Sequence, residues 1–147
     1  MILGVVMGLD VGDVRTGVAV TDALQIMVSP LRTVAMTGKL AADADALAAV
    51  VREIEPIALV LGLPLNQHGL PGPQAAKVQG MADALRTRVG VPIHMVDERF
   101  STAEAHRHLR NANVKGKKQK STVDQVAAGI ILETYMQRER NRAASQG

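Results

Sequence analysis

The stretch that most limits what this chain can fold into lies near its start. Residues 3–9 form an almost unbroken apolar run, Leu-Gly-Val-Val-Met-Gly-Leu, and it ends in Asp10. A strand with one wet face alternates apolar and polar residues, so a continuous run marks a strand buried on both faces, near the middle of a covered sheet. Val11-Gly12-Asp13-Val14-Arg15-Thr16-Gly17 then turns the chain into a second apolar run at 18–21, which predicts a β-hairpin. A carboxylate at the end of a buried strand costs several kcal/mol unless it is paired, hydrogen-bonded or bound to a metal. Asp10 therefore needs a partner. Either the backbone N–H groups of the turn supply it, or more distant parts of the chain do.

Downstream of the hairpin, residues 26–34 read as a third strand, with Pro30 placing it at an edge or a bulge. Residues 39–55 carry Leu40, Leu47, Val50, Val51 and Ile54 at helical spacing, and Pro56 stops the helix. A short β-type run at 57–61 leads into a Gly/Pro-rich loop that reaches Pro73. Helical periodicity returns over 74–89, and 91–96 reads as the last strand. Ser101 and Glu104 have capping-box spacing and open a helix over 101–110. A polar, basic stretch follows at 111–120. Ser121 and Asp124 repeat the capping spacing at the head of a final helix over 121–136, after which a basic tail is expected to fray. Strands and helices in this order predict an α/β domain, a mixed sheet covered by helices. The expected organisation is a single domain over 1–138 with a basic, disordered tail over 139–147.

Composition removes several classes of function. The 147 residues include one Tyr, one Phe and no Trp, so the aromatic platforms that grip single strands by base stacking are missing. Cysteine is absent, which excludes disulfides, thiolate metal sites and cysteine nucleophiles. A net charge of +3 permits nucleic-acid binding without establishing it. The N-terminal apolar run has no basic residues before it and is too short to span a bilayer, so the expectation is a cytoplasmic protein with no membrane partner.

Acids stand at three informative places: Asp10 on the first strand, Asp97-Glu98 just past the last strand, and Asp124 at the last helix. Ligands of open α/β sheets bind beyond the strand ends. Carboxylates gathered there are the hard oxygen donors that Mg²⁺ or Mn²⁺ prefers. Two such ions about 3.5–4 Å apart can activate water and stabilise the leaving oxygen of a phosphodiester. Asp124 has a competing role as part of a helix cap, whereas Ser101 and Glu104 already fill that role for the helix after Glu98. Between Arg99 and Lys120 the chain carries seven Lys or Arg and one acid, Glu104. This block lies between two of the candidate acids in sequence, so a polyanion held by it would lie near them. Its alternative is a solvated loop. The candidate phosphate contacts are Arg15, Arg99, Lys115, Lys117, Lys118 and Lys120. His94, His106 and His108 have no metal-ligand spacing, and His68 falls in the Gly/Pro loop.

Four stretches in order resemble the YqgF/RuvX family of Holliday junction resolvases and pre-16S rRNA nucleases. They are Gly8-Leu9-Asp10-Val11-Gly12-Asp13-Val14-Arg15-Thr16-Gly17-Val18-Ala19, then Gly62-Leu63-Pro64-Leu65-Asn66 with Gly69. Next come Asp97-Glu98-Arg99-Phe100-Ser101-Thr102 with Ala105, and Lys120 followed by Val123-Asp124 with Ala127-Ala128. The resemblance implies a ribonuclease H-like fold with a five-stranded mixed sheet and a divalent-metal nuclease site. Position by position it implies Asp10, Glu98 and Asp124 as the catalytic, metal-binding acids, with Asp97 as an auxiliary ligand. The roles attributed to the family divide between processing the 5′ end of pre-16S rRNA and resolving branched DNA. The implied partner is structured RNA or branched DNA. The chain would act as a monomer or a homodimer, since symmetric cutting of a four-way junction needs two active sites. Two other classes compete. An Asp-x-Gly hairpin also serves as a phosphate loop in actin-like and sugar-kinase-like ATPases, but those need a second domain to close over the nucleotide. A non-catalytic nucleic-acid-binding factor could keep the same acids for fold alone.

Overall fold

The computed structural model describes residues 3–65, 68–97 and 117–146, with backbone alone at 117–122 and 146. Five strands form one sheet: β1 (Val6–Asp10), β2 (Arg15–Thr21), β3 (Val28–Ala35), β4 (Ala58–Leu63) and β5 (Ile93–Asp97). Their order across the sheet is β3-β2-β1-β4-β5. β1 pairs antiparallel with β2 and parallel with β4, β2 pairs antiparallel with β3, and β4 pairs parallel with β5. All five residues of β1 are buried, as its unbroken apolar pattern requires of a central strand. Pro30, which has no N–H to give a ladder, sits on the edge strand beside a register shift at Val18/Ala19.

Among the described residues three helices cover the sheet: α1 (Leu40–Ile54), α2 (Pro73–Arg86) and α3 (Lys117–Gln146). Alternation along β1 splits its side chains. Met7 and Leu9 join Leu47, Val51, Val78 and Leu85 of α1 and α2 on one face. Val6 joins Ala128, Ile131 and Leu132 of α3 on the other. Gly8 lets α3 come down onto the sheet: a Cβ there would lie 2.6 Å from Leu132 Cγ and 2.9 Å from the Ala128 carbonyl oxygen. Among the described residues no helix is long and apolar enough to cross a membrane.

Most element boundaries shift from the sequence expectation by a few residues, and three of the shifts have a clear local reason. The third strand starts at Val28, not at residue 26. Asp22 Oδ1 accepts the N–H of Ile26 at 2.7 Å and of Met27 at 3.0 Å, and Gln25 turns left-handed at φ 58°, so those residues belong to the connection. The last helix starts four residues before Ser121, because Lys117-Lys118-Gln119-Lys120 are all good helix formers. It also continues to Gln146, through the tail over 139–147 that was expected to be disordered. Arg138 Nη2 donates to the Asp97 carbonyl at 3.0 Å and Arg140 Nη2 to the Gln25 carbonyl at 3.3 Å, which ties the first part of that extension to the end of β5 and to the connection before β3. The helix expected over 101–110 lies outside the described residues.

Candidate metal and nucleic-acid site

Asp10 is the last residue of β1, 2% exposed, and its partner across the hairpin is Gly17. Residues directly opposite on antiparallel strands point to the same face, with Cα atoms about 4.5–5.5 Å apart. The face is that of α3, since Val6 and Gly8 precede Asp10 there at two-residue steps. Gly17 has no side chain to put on that face. The space is taken by the Asp124 backbone, whose carbonyl oxygen would collide with any Cβ at position 17. A glycine on β2 thus seats the backbone of α3 at Asp124 directly on the residue that pairs with Asp10.

The Asp124 side chain is 2% exposed, and its Oδ2 accepts a hydrogen bond from Arg15 Nε at 2.8 Å. Arg15 lies two residues before Gly17 on β2 and therefore shares the α3 face, with its side chain 21% exposed toward one end of the pair. Because α3 begins at Lys117, Asp124 stands in the second turn of a continuous helix. It does not cap a helix at Ser121. Its partner is tertiary, and Gln125 fixes the same turn by donating from Nε2 to Thr33 Oγ1 at 3.1 Å.

Of the sequence-predicted site residues, the structure brings Asp10, Arg15 and Asp124 to one place. Glu98, Arg99 and Lys115 lie outside the described residues. Lys117, Lys118 and Lys120 form the opening turns of α3, where the sequence suggested a loop. Asp97 pairs with Leu63 and follows Met95 at a two-residue step, so alternation turns its side chain to the α1 and α2 face, away from Asp10. Among the described residues no three His, Asp or Glu side chains gather into a metal-binding group. The donor set present nevertheless suits a hard cation. Two buried carboxylates lie on the α3 side of the hairpin, and a guanidinium already sits as a cation on one of them. His94, without ligand spacing in the sequence, stacks on Tyr135 with ring centroids 5.2 Å apart.

Sequence reasoning missed two features of the hairpin turn. Asp13 pairs with Lys77 of α2 at 3.0 Å, and no local pattern links residues so far apart. Asp13 and Lys77 also border a groove of about 590 Å³ with Val11, Met36 and Met81 in its wall. Val11, Met36 and Met81 belong to the α1 and α2 side, so this groove lies across the sheet from the acids. Concavity and chemistry separate here, and the buried carboxylates are the better guide to the site. In the same wall, burial would raise the pKa of Asp43. Donation from Thr37 N–H, Thr37 Oγ1 and Gly38 N–H instead holds it below the usual aspartate range.

Comparison with known proteins adds to this geometry. A family model described as RuvX, Holliday junction resolvase, matches residues 4–138. A protein of Roseiflexus sp. (strain RS-1) is 39% identical over 137 residues, which is 93% of this chain and 96% of that protein. One from Chloroflexus aggregans is 42% identical over 136 residues, 92% and 95% of the two chains. One from Moorella thermoacetica is 42% identical over 133 residues, 90% and 94% of the two chains. All three carry the name "Putative pre-16S rRNA nuclease". Among solved structures, Thermus thermophilus RuvC in complex with a Holliday junction substrate superposes with a TM-score of 0.53 at 15% identity, covering 90% of this chain and 95% of that one. RuvC alone gives 0.52 at 16% identity. At that identity the likeness establishes the fold, which is ribonuclease H-like.

Proposed function

From the premise that the chain belongs to the RuvX family, we propose that it is a divalent-metal endonuclease that processes the 5′ end of pre-16S rRNA. The observation that carries this is that Asp10 and Asp124, both buried, share the α3 face of the hairpin, with Gly17 between their backbones. Burying carboxylates on one face is unfavourable unless cations or donors meet them, and Arg15 meets Asp124 in this way. Asp10 and Asp124 would hold Mg²⁺ or Mn²⁺. Glu98 joins them in this proposal on the strength of the family motif at 97–102. A divalent cation there supplies a water of lowered pKa and charge stabilisation for the leaving oxygen, in a two-ion arrangement. The chain's own contribution is to fix the two carboxylates through β1 and α3, which hold them on backbone elements rather than on loops. Arg15, Arg99, Lys115, Lys117, Lys118 and Lys120 would position the phosphate backbone. Such contacts set register and affinity without reading sequence.

The description attached to the family favours a second substrate, a branched DNA junction. One experiment separates the two: incubation with Mg²⁺ or Mn²⁺ of a 16S rRNA fragment carrying its 5′ leader, and in parallel of a four-way DNA junction. Cleavage of the RNA at its mature 5′ end with the junction left intact is the expected result. Symmetric cutting of the junction alone would assign the site to recombination, and cleavage of neither would leave a binding factor.

A further inference from the structure

The ion pair between Arg15 and Asp124 has a dry end and a wet end, since Asp124 is 2% exposed and the Arg15 side chain 21%. Among the described residues the bond from Nε to Oδ2 is the one hydrogen bond that the Arg15 side chain makes. A guanidinium carries five donors in a planar fork that fits phosphate as well as carboxylate. Held on Asp124, it covers an oxygen that a divalent cation would use. Placed beside such a cation, it would be repelled by it.

The geometry points to Arg15 as a resident counter-ion that yields Asp124 to a divalent cation and, once released, grips a phosphate of the bound nucleic acid. This rests on the metal site proposed above. Arg15 is then a positioning residue that links two events. Whatever frees it from Asp124 strengthens the hold on nucleic acid. Whatever draws it to phosphate opens Asp124 to metal, by the same factor in each direction.

The link can be tested without metal or turnover. Asp124→Asn removes the charge that holds Arg15, so in EDTA this variant should bind a structured RNA hairpin about tenfold tighter than wild type, within the usual range of coupled sites. The double variant Arg15→Gln/Asp124→Asn should lose that gain and bind no tighter than wild type. It removes both members of the ion pair together and so avoids the folding risk of Arg15→Gln alone. Equal affinity of Asp124→Asn and wild type would overturn the proposal, because Arg15 would already be on the phosphate or never reach it. An equal gain in the double variant would overturn it too, since the effect would then be simple loss of a negative charge. A separate titration of each protein with Mn²⁺, read by electron paramagnetic resonance, tests the underlying site. Absence of Mn²⁺ binding to wild type would remove the metal site and the yielding of Asp124 to metal, whatever the RNA results show. If wild type binds Mn²⁺ and Arg15→Gln binds it about tenfold tighter, the competition for Asp124 stands. Equal or weaker binding by Arg15→Gln overturns it.

Discussion

Asp124 is met by a residue 109 positions earlier in the chain, and nothing near it in sequence could announce that contact. What the sequence does show is a serine and an aspartate three apart, the spacing of a cap. The good helix formers before Ser121 carry the helix past that signal, and the glycine opposite Asp10 decides where Asp124 comes to rest. Asp10 was legible for a different reason. An acid ending a run of apolar residues stands out because burying it is costly. The predicted consequence concerns both catalysis and stability. Asp10→Asn keeps the shape and removes one of two neighbouring charges, whose repulsion works against the fold in the absence of metal. It should abolish cleavage while leaving the thermal midpoint in EDTA unchanged or higher. A fall of more than about 5 °C, roughly 1.5 kcal/mol for a domain of this size, would assign Asp10 a structural role instead.

At the scale of elements, the contact between α3 and the hairpin is set by the absence of side chains. Gly17→Ala would drive a methyl group into the Asp124 carbonyl, backbone against backbone, where no rotamer change gives relief. A cost of about 2–3 kcal/mol is expected from overpacking, read by urea unfolding. Gly80→Ala is the internal control, because a Cβ at Gly80 in α2 meets nothing within 4 Å and should gain about 0.5–1 kcal/mol of helix propensity. The start of α1 is pinned differently, by Asp43 accepting two N–H groups and a hydroxyl from Thr37 and Gly38. Asp43→Ala leaves those donors without their acceptor and should cost about 2 kcal/mol at neutral pH. Since the folded-state pKa of Asp43 is depressed, its contribution is present above the ordinary aspartate pKa and lost as pH falls through the depressed value. The gap between wild type and Asp43→Ala should therefore narrow below about pH 4, in denaturation curves taken across that range. Neither the Gly17 contact nor the Asp43 bonds leave a trace in hydrophobic periodicity, which is why only the elements themselves were legible.

For the whole molecule, the strand count and the central place of β1 follow from apolar patterning, and the ribonuclease H-like fold agrees with them. The distribution of charge was legible as a run but not as a shape, because Lys117, Lys118 and Lys120 open a helix rather than lie in a loop. Without aromatic platforms, the basic block should act through phosphate charge alone. Replacing Lys115, Lys117, Lys118 and Lys120 together by Ala should weaken binding to all sequences alike. The slope of log affinity against log salt should flatten by roughly 0.7 to 0.9 for each phosphate no longer neutralised. An unchanged slope would make the block a solvated face. The central claim, that Asp10 and Asp124 form one metal-dependent cleavage site, is tested most directly by the Mn²⁺-dependent rate of cutting of a 5′-extended 16S rRNA fragment. Wild type should cut it only with the metal present, and Asp10→Asn and Asp124→Asn, both folded, should each lose at least about a thousandfold, as expected when one member of a catalytic unit is removed. Cutting by either variant at a rate within tenfold of wild type would contradict the account.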